Sequence, residues 1–558
     1  VKSVNVTVVI QHDKPCSWVL NILDQIDHHN CAQLTGIVIQ QASDVVSNTH
    51  KDTHTDSPTN AAKPLLRKLA NKIVYGIVDR PRYKFDSLTP KVLPERYRAL
   101  IGVNPTQCDI VLHLGDPNLP TNNAPKATTG VWVIRHDQLI GVAEKALLKR
   151  SDLLWIHIFE LIDAQADLNN CGDNANLRRI ASHSLATQTF SGSDIKNQVF
   201  GSLPGLILSR LNWIANGHKP YEYEQQQIDH ALFAANAFSE RCDYKPLSNP
   251  AYLFYAINLL IAQNKQRVHN KTSSEQWQLG FLFTDGSTDN GKNKKANDLA
   301  VNDFITLTPP PNRIWADPHT IMHNGQCHVF FEDMDLDENV GIISTAVLTQ
   351  NGFEQPPVSA LQEPHHLSYP YLFEHDKQHY MIPETASSRS VNLYKATHFP
   401  DKWSKVKSLL TNINAADTTL HFHDGLWWMF TNGVLHPTMG ERDELLLFYT
   451  NDVLNGEWQA HPLNPVLTGV DRARMAGPLF EQHGKLLRPS QYGAVRYGYG
   501  TNFSVITKLS TTDYEEKLTS RIQPERGDGW MGCHTTTHNE NTIVVDRLQR
   551  VKKAASVT

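Results

Sequence analysis

Five segments of the C-terminal half place different chemistry at one repeated position. They are ADPHTIMHNGQCHVFFED from Ala316, SYPYLFEHDKQHYMIPET from Ser368, AADTTLHFHDGLWWMFTN from Ala415, MAGPLFEQHGKLLRPSQ from Met475 and GCHTTTHNENTIVVDR from Gly532. The aligned first positions are Asp317, Tyr369, Asp417, Ala476 and His534, with His319, His366, Arg474 and Glu384 close by. A turn-stabilising Asp would recur at all five places. Here the residue types diverge, which favours a specialised pocket. Carboxylates, imidazoles, a guanidinium and a phenol can bind a polyol through hydrogen bonds. They can also supply the two roles glycosyl transfer needs, one group that accepts a proton or attacks and another that donates a proton. The expected catalytic groups are Asp317 as base or nucleophile and Asp417 or Glu384 as its acid or polarising partner. Tyr369, Arg474, His534, His366 and His319 are the expected substrate contacts.

These residues become neighbours only if the segments surround one axis. Each segment reads as strand, tight polar turn, strand, and the turns HNG, HDK, HDG, QHG and HNE carry residues that tolerate positive φ. The repeat spacing of roughly 50–60 residues fits one four-stranded propeller blade. A third strand follows in four units (GIISTAVL from Gly341, VNLYKATHF from Val391, ELLLFYTND from Glu444, NFSVITKLS from Asn502), then a fourth marked by Phe353, Trp403, Trp458 or Tyr514. The fifth unit lacks its last two strands. WQLGFLF from Trp277 and DFITLTP from Asp303 can supply them and close the ring, which removes free sheet edges. The expectation is a five-bladed β-propeller over 276–550. His323, His375, His423, His483 and His538 recur at the turns, so they read as architectural. No metal site is expected, and neither HExxH, P-loop, GxGxxG nor GxSxG occurs.

Upstream, strand and helix patterns alternate over 1–218. Val4–Gln11, Leu34–Gln40, Cys108–Leu114 and Gly130–Arg135 read as strands; Ser17–His28 and Ile195–Asn216 read as helices. This predicts an α/β domain with a mostly parallel sheet. Residues 219–275 read as a helical connector, and 45–63 and 286–297 as polar loops. A chain of 558 residues needs more than one core. Lys+Arg (52) and Asp+Glu (57) nearly cancel to a net charge of −5, without a basic run, which argues against a nucleic-acid partner. The longest apolar stretches are too short to span a bilayer. The start, VKSVNVTVVIQ, lacks a signal peptide's apolar core, and its missing Met reads as a trimmed start. Seven scattered cysteines without a CxxC pair suit reduced thiols. A cytoplasmic protein is expected.

The strings WADPHTIMHNGQCHVFFED, HLSYPYLFEHDKQHYMIPETASSRSVNLY and HDGLWWMFTN resemble the propeller domain of plant glucosamine inositolphosphorylceramide transferases and their bacterial relatives. The resemblance covers about 277 to 548. That domain is similar in turn to arabinanase- and invertase-like glycoside hydrolases, whose first-blade Asp is base or nucleophile, and Asp317 in WADP matches it. The second blade offers Tyr369 and the third Asp417 without a Glu in its strand, so the hydrolase triad does not carry over. The plant transferase holds its sugar-transfer domain elsewhere. The N-terminal part resembles the formyltransferase fold through CDIVLHLG and GVWVIRHDQLIG. Active members carry Asn-x-His where this chain reads LHLGDPNLP, which implies that formyl transfer is lost or altered and leaves His113, His136 and Asp137 as remnants. A reduced folate is implied as cofactor only if that domain is active.

Together these readings point to a carbohydrate-active transferase or glycosidase-like enzyme of surface polysaccharide or glycoconjugate biosynthesis. It would act on a saccharide or sugar nucleotide in the propeller funnel, with other glycan-assembly enzymes as partners. The alternatives are a non-catalytic propeller that presents a glycan acceptor, and a folate-dependent formyltransferase-like N-terminal domain.

Overall fold

The computed structural model describes residues 2–40, 90–101, 103, 107–114, 126–134, 153–161, 177–187, 192–219, 257, 261, 264, 273–283, 301–435, 439–440, 443–525, 529–539 and 541–552. The chain divides into two units, Val1–Arg267 and Val268–Thr558. Most of 219–275, and the loops 45–63 and 286–297, lie outside the described residues, as do His136 and Asp137.

In the first unit, strands β1 (Val4–Ile10), β2 (Ala32–Ile39), β3 (Gln107–His113), β4 (Lys126–Val133), β5 (Leu153–Leu161) and β6 (Leu177–Ala186) form one sheet in the order β2-β1-β3-β4-β5-β6. β1 pairs parallel with β2 and β3, and β3 pairs parallel with β4. β4–β5 and β5–β6 are antiparallel. The sheet is therefore mixed, and the expected parallel arrangement extends only from β1 to β4. β1 sits centrally with Val6, Val8 and Val9 fully buried, so both its faces are covered, as a parallel strand's are. Helix α1 (Ser17–Asp27) turns Trp18, Ile22 and Ile26 inward at helical spacing, and Trp18 packs on Phe200 of α2 (Gly192–Ala215) at 5.1 Å. No helix among the described residues is long and apolar enough to cross a membrane.

The second unit is a five-bladed β-propeller. Blade 1 runs Arg313–His323, Gln326–Asp335, Val340–Thr349, Gly352–Phe353. Blade 2 runs Ser368–His375, Gln378–Glu384, Ser390–His398, Lys402–Thr411, and blade 3 runs Ala415–His423, Leu426–Gly433, Glu444–Thr450, Gln459–Ala460. Blade 4 runs Phe480–Gln482, Lys485–Tyr492, Gly500–Leu509, Tyr514–Ile522. Blade 5 joins both ends of the unit. Its inner pieces Trp530–Gly532 and Thr536–His538 pair with Thr542–Lys552, which pairs with Ser273–Phe283, which pairs with Ile305–Leu307. This is the closure anticipated from the missing strands of the fifth unit.

Local chemistry explains the hairpins. Asn324-Gly325, Asp376-Lys377, Asp424-Gly425 and His483-Gly484 all hold positive φ at both residues, the two-residue turn whose twist matches its strands. The second strands are apolar runs because alternate residues serve alternate neighbours. Phe330 packs towards Leu372 and Met381 of blade 2, whereas Val329 and Phe331 pack towards Leu279 and Val544 of blade 5. Val544 meets blade 1 in the same way, while Ile543 and Val545 meet Leu487 and Phe503 of blade 4. Blades 1 and 5 are thus each a partner in two cores, and apolar burial is shared across the closure of the ring.

Near the axis, blade 4 approaches blade 5 so closely that a Cβ on Gly477 (φ +133) would lie 1.8 Å from the Thr536 carbonyl oxygen. Gly484 (φ +70) has nothing within 4 Å. Gly477→Ala is therefore expected to cost about 3 kcal/mol through strain and collision. Gly484→Ala is expected to cost about 1 kcal/mol from backbone conformation alone. Urea unfolding of both variants checks this, and equal losses would contradict the close approach.

Candidate functional site

Three of the aligned positions share an unusual backbone. Asp317 (φ 51°), Tyr369 (φ 43°) and Asp417 (φ 51°) are left-handed non-glycine residues. At each, the inner strand carries a bulge, because pairing slips between Phe330 and Glu332, between Ser368 and Tyr371, and between Ala416 and Thr419. A bulge bends its strand and re-aims a side chain. Each such residue costs on the order of 1–3 kcal/mol unless its surroundings hold it. Equivalent positions across the repeat thus share a conformation while differing in side chain.

The inner strands touch in a closed circuit. The Tyr369 hydroxyl bonds Thr419 Oγ1 (2.9 Å) on blade 3 and accepts the Gly477 N–H (2.8 Å) on blade 4. Thr536 N donates to the Ala476 carbonyl (2.8 Å), and Thr537 Oγ1 bonds Thr320 Oγ1 (3.0 Å), linking blade 5 to blades 4 and 1. His319 on blade 1 meets the Tyr369 ring edge-on at 4.5 Å. Tyr369 is fully buried with its hydroxyl spent on these bonds, and His319 is 1% exposed. Their geometry is that of struts on the axis. Burial holds His319 near a pKa of about 3, so it is neutral.

Two charged clusters flank this circuit. In the first, His534 Nε2 lies 3.3 Å from Asp317 Oδ1, and His534 Nδ1 lies 2.7 Å from Asp546 Oδ2. Thr535 Oγ1 donates to Asp317 Oδ1 (2.6 Å). Asp546 accepts the backbone N–H groups of Asp317 (3.1 Å), His534 (2.7 Å) and Thr535 (3.0 Å). In the second, the Arg474 guanidinium meets Asp417 through Nε and through Nη2 (3.2 Å), and Nη2 lies 3.5 Å from Glu384 Oε2. Gln491 Nε2 donates to Asp417 Oδ2 (3.2 Å), and Glu384 Oε2 accepts the Asp417 N–H (3.3 Å).

The clusters repeat one device. Asp546 holds, within the second strand of blade 5, the repeat position that Glu384 holds in the second strand of blade 2. Each accepts the N–H of the left-handed Asp in the following blade, and each cluster contains one cation. Asp546 was absent from the sequence-derived set, yet VVDR places it where IPET places Glu384. Aligning second strands, rather than only first-strand starts, would have revealed it. Glu332 occupies this place in blade 1 but turns to His366, whose Nε2 is 3.2 Å away. His366 Nδ1 accepts the Gly341 N–H (2.9 Å), which requires that nitrogen unprotonated and leaves Nε2–H to face Glu332. The hydrogen bond to Glu332 pulls the His366 pKa upward, but a second proton would cost the Gly341 bond.

Trp277 and Tyr497 form an aromatic wall beside the first cluster. Their rings lie 4.3 Å and 5.3 Å from the His534 ring, and Tyr497 also carries the Arg474 guanidinium at 5.4 Å. Both are half-buried. Gly498 makes room for them, since a Cβ there would lie 2.7 Å from the Trp277 ring.

Burial is the largest influence on the Asp317 and Glu384 carboxyls. It raises Asp317 to about 7; His534 pulls it down, and Asp417, Glu332 and Asp546 add to the rise. Burial, then Asp417, holds Glu384 well above the usual carboxylate range. Burial alone would lower His534, but Asp546 and Asp317 outweigh it and bring it to about 9. The site at neutral pH thus holds an imidazolium and an Asp317 near its midpoint, beside a Glu384 whose affinity for a proton is raised. Asp317 keeps Oδ2 free of hydrogen bonds from the described residues.

Asp317, His534 and Asp546 can bring one ligand atom each within 4.8 Å of one another. Their bonding fits a cation poorly, because both His534 nitrogens already lie against carboxylate oxygens, at 3.3 Å and 2.7 Å, and Asp546 already accepts three backbone N–H groups. A metal needs an unprotonated imidazole nitrogen. Dialysis against EDTA is expected to leave the melting temperature unchanged; a fall reversed by a divalent cation would show a resident metal.

In the first unit, His113 ends β3, is buried, and lies 3.2 Å from the Gln40 side chain.

Residues 295–545 match the family described as glucosamine inositolphosphorylceramide transferase 1, N-terminal. The chain is 32% identical over 224 residues to glucosamine inositolphosphorylceramide transferase 1 of Oryza sativa subsp. japonica, covering 39% of this chain and 30% of that protein. It is 31% identical over 211 residues to the Arabidopsis thaliana protein of the same name, covering 37% and 27%. The chain thus spans less than a third of the length of these curated relatives. Among solved structures, a family 117 glycoside hydrolase of Zobellia galactanivorans overlaps 49% of this chain and 90% of its own, at 12% identity and a TM-score of 0.32. The Bombyx mori GH32 β-fructofuranosidase overlaps 42% and 55%, at 14% identity and 0.31. The matched region is the propeller, and its relatives support a carbohydrate-related function.

The titrations have a sign. A proton on His534 (folded pKa about 9, ordinary value 6.5) favours the folded state, so its contribution is complete below 6.5 and lost as pH rises through 9. Asp317 behaves alike, complete below 3.8 and lost through about 7. Melting temperature is therefore expected to fall between pH 6.5 and 9.5, and a calorimetric series over that range checks it. A rise would place the charges otherwise.

Proposed function

We propose that the propeller pocket carries out group transfer on a saccharide, with a nucleotide-activated or lipid-linked sugar as donor. The observation that supports this most directly is a pair of buried carboxyls, each beside a cation, whose affinity for a proton is raised, Asp317 to about 7 and Glu384 well above the usual carboxylate range. Pairs of acids whose surroundings separate their roles are how one pocket supplies base and acid together.

In this reading an acceptor hydroxyl gives its proton to Asp317 Oδ2 as its oxygen bonds the anomeric carbon. The bond from that carbon to the departing oxygen breaks, and Glu384 protonates the departing oxygen. Asp417 is bonded to Arg474 and Gln491, and its nearness raises the affinity of Glu384 for a proton. Arg474 and His534 act chiefly as counter-cations to the acids, since their nitrogens are engaged there. Trp277 and Tyr497 offer ring faces on which a sugar stacks. The printed name of the plant relatives suggests the substrates to try first, a glucosamine donor and an inositolphosphorylceramide acceptor.

A second reading is a non-catalytic glycan-binding propeller. It is favoured by the family match itself, which is to the N-terminal part of a larger transferase. The test offers the full chain a panel of nucleotide sugars with inositolphosphorylceramide and follows product by mass spectrometry. Product carrying one added sugar is expected, and Asp317→Asn is expected to reduce it about a thousandfold or more with the melting temperature preserved. Glycolipid binding without product would favour the second reading, and full activity in Asp317→Asn would remove Asp317 from the chemistry.

A further inference from the structure

Asp546 is the most heavily bonded acid in the pocket and has no role in the transfer step just described. It lies within the second strand of blade 5 and is fully buried. One of its oxygens accepts the N–H groups of His534 and Thr535; the other accepts the Asp317 N–H and faces His534 Nδ1 at 2.7 Å. The opposite edge of the same ring, Nε2, faces Asp317. A ring held between two carboxylates cannot rotate without losing one of them. The left-handed backbone at Asp317 cannot relax without losing its N–H acceptor.

We propose that Asp546 is a positioning residue that fixes the His534 ring against Asp317 and clamps the left-handed backbone of Asp317 with the same carboxylate. The acting group and its counter-cation are then set by one side chain across the closure between blades 5 and 1. The proposal takes its meaning from the reading of Asp317 as the acting group, but its test needs no substrate.

The charged groups acting on the His534 ring are Asp546 and Asp317 in contact and Asp417 farther off. The rings of Trp277 and Tyr497 cover the rest of it. The adjoining Arg547 points away, to the carbonyls of Val301 and Phe304. Removing the charge of Asp546 therefore removes one of the two anions in contact with His534.

The experiment is a pH titration of the full chain labelled at histidine, read from imidazole nitrogen shifts, with His534 assigned by its absence in His534→Gln. The wild type is expected to hold His534 as an imidazolium at pH 7. In Asp546→Asn its midpoint is expected to fall at least tenfold in proton affinity. Thr535→Val, which removes a hydroxyl from Asp317 without touching Asp546, is expected to shift it far less. An unchanged midpoint in folded Asp546→Asn overturns the proposal. If that variant does not fold, a neutral His534 in the wild type at pH 7 overturns it equally. Failure of the sugar-transfer assay leaves this titration unaffected, so the two readings fail separately.

Discussion

A carboxylate on one blade's second strand accepts the backbone N–H of the left-handed residue in the next blade, and the pocket depends on this contact. Asp546 does so for Asp317, and Glu384 for Asp417. The left-handed turn is unfavourable on its own, but it points an amide into the seam between blades, where a buried carboxylate needs a donor. Each unfavourable feature satisfies the other, and a hydrogen bond to a charged acceptor is stronger than one between neutral groups. Where the device is missing, the structure substitutes for it. Glu332 turns to His366, and the left-handed Tyr369 is anchored instead through its hydroxyl to Thr419 and Gly477. The bulge therefore persists in three blades although only two have the carboxylate latch.

Much of the propeller was legible because its signals are local. Turn residues such as Asn324-Gly325 and Asp424-Gly425 declare their φ, and the apolar pairs VFF and VV declare strands buried on both faces. Closure of blade 5 was legible because the fifth repeat was visibly short. The site was legible in part. Asp317 and Asp417 hold the repeat position that the bulge re-aims, His534 is its counterpart in blade 5, and Arg474 and Glu384 lie near it. Asp546, Trp277 and Tyr497 were not, because their relevance arises only when Ser273–Phe283 is inserted between the two ends of the chain. Trp277 and His534 are 257 residues apart in sequence and 4.3 Å apart as rings. The antiparallel extension of the N-terminal sheet was missed for another reason. LLWIHIFEL and LRRIASHSLA carry no local signal of pairing direction, so parallel order was extended past the strand at which it stops.

The matched clusters also bear on what the pocket is for. Asp317, Asp417, Glu384, Asp546, Arg474 and His534 are all withdrawn from water, and such pairs seldom improve stability over well-packed apolar residues. Apolar side chains already join the blades at Phe330, Phe331, Val544 and Val545, so the axis does not need ion pairs to cohere. The same fold contains a buried pair that serves packing, Arg488 with Glu516 in blade 4, fully enclosed and bonded to each other and to Tyr514. The axial groups differ from it. Asp317 retains a free oxygen, Glu384 keeps 16% of its side chain exposed, and the acids outnumber the cations. An excess of buried acid is unfavourable unless some of it holds protons, and protons held near neutrality can be moved. That imbalance, more than the presence of charge, separates the axial groups from the Arg488–Glu516 pair.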